Sequence, residues 1–369
     1  MQFTCTQENL LRGLQSVSHI TGRTSTLPIL KNILIVAEKN GITLASTNLE
    51  LGITTKIRGK VDVGGSFTVQ ARVLVDYVSL LPAGNVTVAL ENNELHVGGK
   101  GSKTSMKGMG AEDFPVIPKV QDGVRFSLPV QMLKAALSKT VFAVATDESR
   151  PEINGVLLQL LNQTLTFAAT DSYRLAEAQV PLATTKDEQR VIVPSRSLLE
   201  LIRILPEGGE VGVVVGENQV GFTTEDLEIV SRLIEGQFPD YQQIIPANFS
   251  TQVTAEVETF AKTVRQVSLF CRSGINDVTL AASAGADQVQ VSAANAQVGT
   301  GEASFPATIT GGNVGIVFNW RFLLDGLQAA GSEEVELRVN DEKGPGLLVP
   351  KAPSKVQPAF RYLVMPIRQ

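Results

Sequence analysis

Several landmarks recur along this chain at intervals of 123–125 residues, one third of its 369-residue length. The stretch Phe67–Pro82 (FTVQARVLVDYVSLLP) returns as Val191–Pro206 (VIVPSRSLLELIRILP), so that Pro82 and Pro206 stand 124 apart. Phe114-Pro115 and Phe238-Pro239 repeat at the same interval, and Ala45-Ser-Thr-Asn48 matches Ala168-Ala-Thr-Asp171 at 123. A fainter third copy places Asn295 of Ser292-Ala-Ala-Asn295 124 residues after Asp171, and Asp325 125 after Glu200. A threefold period in a chain too long for one hydrophobic core implies three similar units. The two Phe-Pro elements end their units, which sets the expected domains at residues 1–122, 123–247 and 248–369.

Each repeat carries two helical patterns. The first has apolar residues at Leu10, Leu11, Leu14 and Val17, then Leu133, Ala136, Leu137 and Val141, then Val257, Ala261, Val264 and Val267. The second has Leu74, Tyr77, Val78 and Leu81, then Leu198, Leu201, Ile202 and Leu205, then Leu323, Gly326, Leu327 and Ala330. Spacings of three and four put one apolar stripe on each helix, to be covered by a sheet. Alternating runs such as Val86–Leu90 and Val335–Val339, punctuated by turns such as Glu91-Asn-Asn-Glu94, read as strands. The expected order is strand, helix, three strands, and the same again: an α+β fold of antiparallel sheets with helices on one face.

The remaining composition excludes more than it selects. With 43% hydrophobic and 19% charged residues the chain is not disordered. Cys5 and Cys271 are too far apart for a Cys-x-x-Cys site, and two cysteines make no disulfide framework, which fits a reducing cytoplasm. No signal-like start and no apolar run of about 18 residues appear, so no membrane segment is expected. His19 and His96 are the only histidines, and neither sits in a nucleophile or metal motif. Gly98-Gly-Lys-Gly-Ser-Lys-Thr104 has the glycines of a phosphate loop, but Ser102 precedes Lys103 and a strand-like stretch follows, so a basic edge strand is the better reading. Asp171, matched by Asn48 and Asn295, is expected to build a turn. The sequence therefore predicts no catalytic residue, metal or cofactor.

The net charge of −5 argues at first against nucleic acid. Taken by segment it reads differently. The six helical segments carry 0, 0, +2, +1, +1 and 0 in chain order, which leaves −9 for everything else. A positive bias on equivalent helices of three repeats suggests a shared basic surface, which is sufficient for sequence-independent attraction to phosphate.

Several motifs make this chain resemble the bacterial DNA polymerase III β subunit family, the DNA sliding clamps. They are the start Met1–Leu11 (MQFTCTQENLL), Arg23–Ile33 (RTSTLPILKNI), Ala169–Leu175 (ATDSYRL), Glu235–Tyr241 (EGQFPDY) and Tyr362–Arg368 (YLVMPIR). The resemblance implies a three-domain protomer that dimerises head to tail into a ring around duplex DNA. It also implies that the ring tethers the replicative polymerase and other replication and repair proteins, is opened by a clamp loader, and has no active site of its own.

Partners of such clamps insert a peptide with a Gln and hydrophobic anchors into a cleft between the second and third domains. By motif, that cleft takes Ile153, Thr170, Ser172, Tyr173, Arg174 and Leu175, with Pro239, Gln243 and Ile244. The C-terminal Leu363, Val364, Met365, Pro366, Ile367 and Arg368 join it, as do Ile275, Asn319, Phe322, Gly344 and Gly346. Better-known members carry Arg at Gln243 and His at Tyr173. The ring interface falls at Lys103, Thr104 and Lys107 against Leu269 and Phe270, with Glu302 the nearest acidic partner and Thr104 standing where the family often has Phe. The candidate DNA contacts are Arg23, Arg72, Lys134, Lys139 and Arg150, then Arg196, Arg203, Lys262, Arg265 and Arg272. Two other classes stay open on the residues alone: a hydrolase or transferase, and a three-repeat scaffold that binds proteins but not DNA.

Overall fold

The structure, a computed structural model, describes residues 1–22, 27–147, 149–182, 187–352 and 357–368. Among the described residues six α-helices lie at the expected places: α1 Gln7–Ser18, α2 Ala71–Leu80, α3 Val130–Ser138, α4 Ser195–Ile204, α5 Val257–Ser268 and α6 Trp320–Ala330. Each follows a strand directly and is followed by three strands, which is the doubled half-repeat expected from the sequence. The additions are two short strands, Lys60–Val63 and Thr308–Gly311, which pair beside the first strand of their own repeats. Every strand pairing among the described residues is antiparallel, as short turns between neighbours require.

The stripes are buried largely as the spacing demands. Helix α6 buries Leu323, Gly326, Leu327 and Ala330. Gly326 is needed there because a Cβ would come within 2.4 Å of the Tyr362 ring. Helix α1 buries Gly13 rather than Leu11, since its Cβ position is already filled by Ile57 and Leu44. Helix α5 buries Phe260 and Thr263 beside Val264 and Val267, and Phe260 stacks on Phe305 at 4.3 Å between ring centres. The large aromatic outweighs Val257 and Ala261 in choosing the buried face.

By contact density the chain forms two compact units, residues 1–130 with 199–233, and 131–198 with 234–369. The strands of the middle repeat are divided between them, because ladders run from one repeat into the next. In the first unit Leu227–Arg232 of the second repeat pairs with Leu51–Ile57 of the first, with Ile229 opposite Ile53. This joins a 13-stranded sheet. In the second unit Arg174–Pro181 of the second repeat pairs with Ala359–Val364 of the third, within a nine-stranded sheet. A separate four-stranded sheet has Gly299–Pro306 at one edge.

The repeated Asn/Asp turn is reproduced almost atom for atom. In the first repeat Asn48 Oδ1 accepts the N–H groups of Glu50 and Leu51 while Thr47 Oγ1 donates to the Leu51 carbonyl. In the second, Asp171 Oδ1 accepts those of Tyr173 and Arg174 while Thr170 Oγ1 donates to the Arg174 carbonyl. Leu49 and Ser172 both take left-handed backbones, φ 77° and 76°. In the third repeat Asn295 Oδ1 accepts the Gln297 N–H. The glycine- and lysine-rich stretch is a hairpin between strands Glu94–Gly99 and Ser102–Met109; the latter is not an edge over its whole length, since Gly108 and Met109 pair with Val69 and Thr68 on its other side.

Candidate functional site

The second unit holds an apolar cluster assembled from sequence-distant motifs. Ile153, Leu157, Ala168, Leu175, Ile192, Phe238, Tyr241, Leu347 and Leu363 pack together, with Ala145, Ile234, Ile245, Phe249 and Val349 against them. Leu175, Leu363 and Leu347 stand in register across three neighbouring strands. Phe238 meets Tyr241 edge-on at 6.1 Å. Three of the sequence-predicted cleft residues, Ile153, Leu175 and Leu363, are therefore brought together. Phe238, Tyr241 and Leu347 belong with them, although the sequence motifs alone do not single them out.

The rim of this cluster is more open. Tyr173 is 66% exposed, and its carbonyl accepts the Met365 N–H at 2.8 Å, which fixes the C-terminal segment beside the Thr170–Arg174 turn. Ile244 is exposed on a 3-10 turn, Tyr241–Ile244, that follows Pro239, and the Gln243 amide donates to Asp240 at 2.7 Å. Thr170 is buried in the turn it builds, whereas Ser172 is exposed. Beyond Met365 and Pro366 the chain runs along strand Val314–Asn319, where Ile367 N–H donates to the Val317 carbonyl. Ile367 and Arg368 then line a surface cavity of about 740 Å³ with Arg272, Ile275, Asp277 and Glu302.

Strand alternation divides the predicted cleft residues between two faces of the sheet. Arg174, Val364 and Gly346 stand opposite one another in the ladder, one residue out of phase with Leu175 and Leu363, so they point to the other face. Val364 and Gly346 are buried there, and a Cβ on Gly346 would strike Phe318. The Arg174 guanidinium pairs with Asp171 at 3.0 Å and with Asp325, donates to the Phe142 carbonyl at 2.9 Å, and lies 4.5 Å from the Phe322 ring. Arg174 and Phe322 thus tie the turn to α6 rather than to the Leu175–Leu363 cluster. Asn319 caps α6 through the Arg321 N–H, and Gly344 lies in a turn closed by Asp341.

The candidate cations separate in the same way. Arg23 lies outside the described residues. Lys139 is not a surface cation: it is 7% exposed, donates to the Ala329 and Ala330 carbonyls at 2.8 Å each, and lies 5.1 Å from the Phe360 ring centre. Burial lowers its pKa. A buried ammonium at a helix C-terminus satisfies carbonyls that would otherwise lack donors. Arg150 bonds the Ser172 hydroxyl at 2.8 Å and pairs with Glu152 at 3.2 Å, beside the Thr170–Arg174 turn. Arg203 donates to the Gln15 carbonyl at 3.2 Å and pairs with the buried Glu200, so it too braces a helix end. Arg272 pairs with Asp277, and Arg72 with Asp76 at 3.6 Å. Lys134 is half-buried, whereas Arg196, Lys262 and Arg265 are exposed on α4 and α5.

At the predicted interface, Lys103 and Lys107 are exposed on strand Ser102–Met109 while Thr104 is half-buried, opposite Val97. Leu269 is 73% exposed just beyond α5, and Phe270 lies under Gly301.

Three family models cover almost the whole chain: the DNA polymerase III beta subunit N-terminal domain at residues 1–118, central domain at 127–240 and C-terminal domain at 242–368. The chain belongs to the DNA polymerase III beta subunit family. A relative described as a beta sliding clamp from Synechocystis is 32% identical over 100% of this chain and 99% of its own. The Bacillus subtilis beta sliding clamp is 29% identical over 100% of both chains. A Pseudomonas aeruginosa sliding clamp solved bound to griselimycin superposes with a TM-score of 0.95 at 30% identity, again over 100% of both. Within this family the fold is the α+β clamp fold of three repeated domains, and its members are replication proteins. No described helix is long and apolar enough to cross a membrane.

Proposed function

We propose that this chain is a sliding clamp: two copies close head to tail around duplex DNA, and the ring holds the replicative polymerase and other replication and repair proteins on it. It acts as a processivity subunit without chemistry of its own, in the bacterial cytoplasm, with protomer domains near residues 1–122, 123–247 and 248–369.

The observation that carries this reading is a missing strand neighbour. By the repeat period, strands Leu51–Ile57, Arg174–Pro181 and Gly299–Pro306 are equivalent, and so are Ser102–Met109, Leu227–Arg232 and Ala359–Val364. Four of the six are used in two joins within the chain. The remaining pair is left over. Gly299–Pro306 is an edge strand, and Ser102–Met109 touches its second neighbour only through Gly108 and Met109. An open strand edge is a template for another chain, and a heterologous contact that closes makes a ring. A second copy offers each leftover edge the partner it lacks, with Lys103 and Lys107 on one side and Glu302 on the other. Leu269 and Leu80, 73% and 85% exposed at the ends of α5 and α2, supply apolar surface.

Duplex DNA is then retained by topology, and cations such as Arg196, Lys262 and Arg265 need only attract phosphate without reading bases. The negative remainder of the chain keeps DNA from adhering elsewhere. For partners we favour the Ile153–Leu175–Leu363 cluster with its Tyr173, Ile244 and Met365 rim, because an apolar floor with few polar groups suits the hydrophobic anchors of a short peptide. The molar mass and shape of the free protein at low concentration test the ring. A compact monomer, or an open filament growing with concentration, contradicts it.

A further inference from the structure

One charged side chain lies beside the apolar cluster and has no part in any motif. Glu177 is 2% exposed in strand Arg174–Pro181, on the same face as Leu175 two residues before it. Both carboxylate oxygens are occupied. Arg361, directly opposite in the ladder, places Nε 2.7 Å from Oε1 and donates from Nη2 to Oε2 at 2.8 Å. Gln179 donates to Oε1 at 3.0 Å. The other two donors come from the 3-10 turn: the Tyr241 hydroxyl at 2.6 Å and the Gln242 amide at 3.2 Å, both to Oε2. Gln242 closes a ring by accepting from Arg361 at 3.0 Å. Burial and the neighbouring carboxylate raise the Tyr241 pKa, so the phenol stays a donor.

Desolvating a carboxylate is costly, and an apolar pair of similar volume would hold two strands together as well or better. What such a pair cannot do is grip two consecutive residues of a separate turn. Tyr241 is the turn's contribution to the apolar floor, and Gln243 and Ile244, which follow Gln242, form its rim.

We propose that Glu177 is a positioning residue of the peptide cleft: through Tyr241 and Gln242 it sets where the Tyr241–Ile244 turn stands over Leu175 and Leu363. This rests on the cluster being the partner-peptide site. It implies that the cleft wall is held by a buried charge, so that its shape depends on hydrogen bonds and not on packing alone.

The test uses the full chain and a fluorescein-labelled peptide bearing one Gln and the anchors Leu and Phe, with affinity, melting temperature and dimer mass read in parallel. Glu177→Gln weakens peptide binding about tenfold, as the loss of a charge-assisted network implies, and leaves the dimer mass unchanged. Tyr241→Phe, which keeps the ring and removes one bond, weakens it about threefold. The double variant Glu177→Val with Arg361→Leu regains the melting temperature but not the affinity. Wild-type affinity in that double variant, or in both single variants, overturns the proposal and makes the network purely structural. A wild-type protein that does not bind the peptide overturns the cleft reading itself, and the proposal with it.

Discussion

Leu227–Arg232 and Ser102–Met109 are equivalent strands in successive repeats, yet they meet different fates. The first is covered along its length by Leu51–Ile57, and its Ile229 is buried against a hydrophobic neighbour of the same chain. The second has a neighbour on one side and, over residues 102–107, none on the other. The same strand thus serves stability where the chain supplies the partner and association where it does not. Two joins among three repeats leave one pair of equivalent strands without a partner among the described residues, which is where the proposed ring would close.

Breaking the open side has the largest effect. Leu269→Asp places a carboxylate at the centre of the proposed contact but costs the free protomer little, because the side chain is already exposed. Dissociation is expected to strengthen by about a hundredfold or more, seen as monomer mass in light scattering at micromolar concentration. The internal join responds the other way. Ile229→Ala lowers the unfolding free energy by about 3 kcal/mol in denaturant titrations, with dimer mass retained.

A smaller effect separates surface cations from structural ones. Reversing Lys262 and Arg265 to Glu weakens retention on DNA and reduces its salt dependence, since two phosphate contacts are replaced by repulsion. Lys139→Met leaves DNA retention unchanged. Its signature is in stability against pH. With the Lys139 pKa lowered by burial, the unfolded chain binds more protons between the folded pKa and the ordinary 10.5. Wild-type stability should therefore gain with rising pH in that window. The variant lacks this gain, and denaturation at a series of alkaline pH values measures the difference.

The smallest effect concerns the cysteines. Burial pushes the Cys5 thiol up to about 12, whereas Cys271 is half-buried. Alkylation of the native protein at pH 8 modifies Cys271 first, and Cys5 reacts only after unfolding.

The periodic parts of this molecule were legible in its residues. All six helices, the doubled half-repeat and the turn at Asn48, Asp171 and Asn295 follow from spacing, because hydrophobic stripes and side-chain-to-backbone hydrogen bonds are local. The proposed cleft is legible in the sequence only as contiguous motifs, and a strand motif mixes two faces: Leu175 and Leu363 point to the apolar cluster, Arg174 and Val364 away from it. A helical charge count fails at Lys139 for a related reason: it is buried against a neighbouring helix end that no sequence window contains. Glu177 could have been suspected as a lone acid in an apolar strand, and Arg361 in Ala359–Val364 is its mirror, but their pairing depends on a register between residues 184 apart.

The ring is tested most directly by DNA topology. Once the loader has placed the protein on nicked circular DNA, it should stay bound for far longer than on the same DNA cut once, from whose ends it slides off. Equal lifetimes on circular and linear DNA would contradict the account.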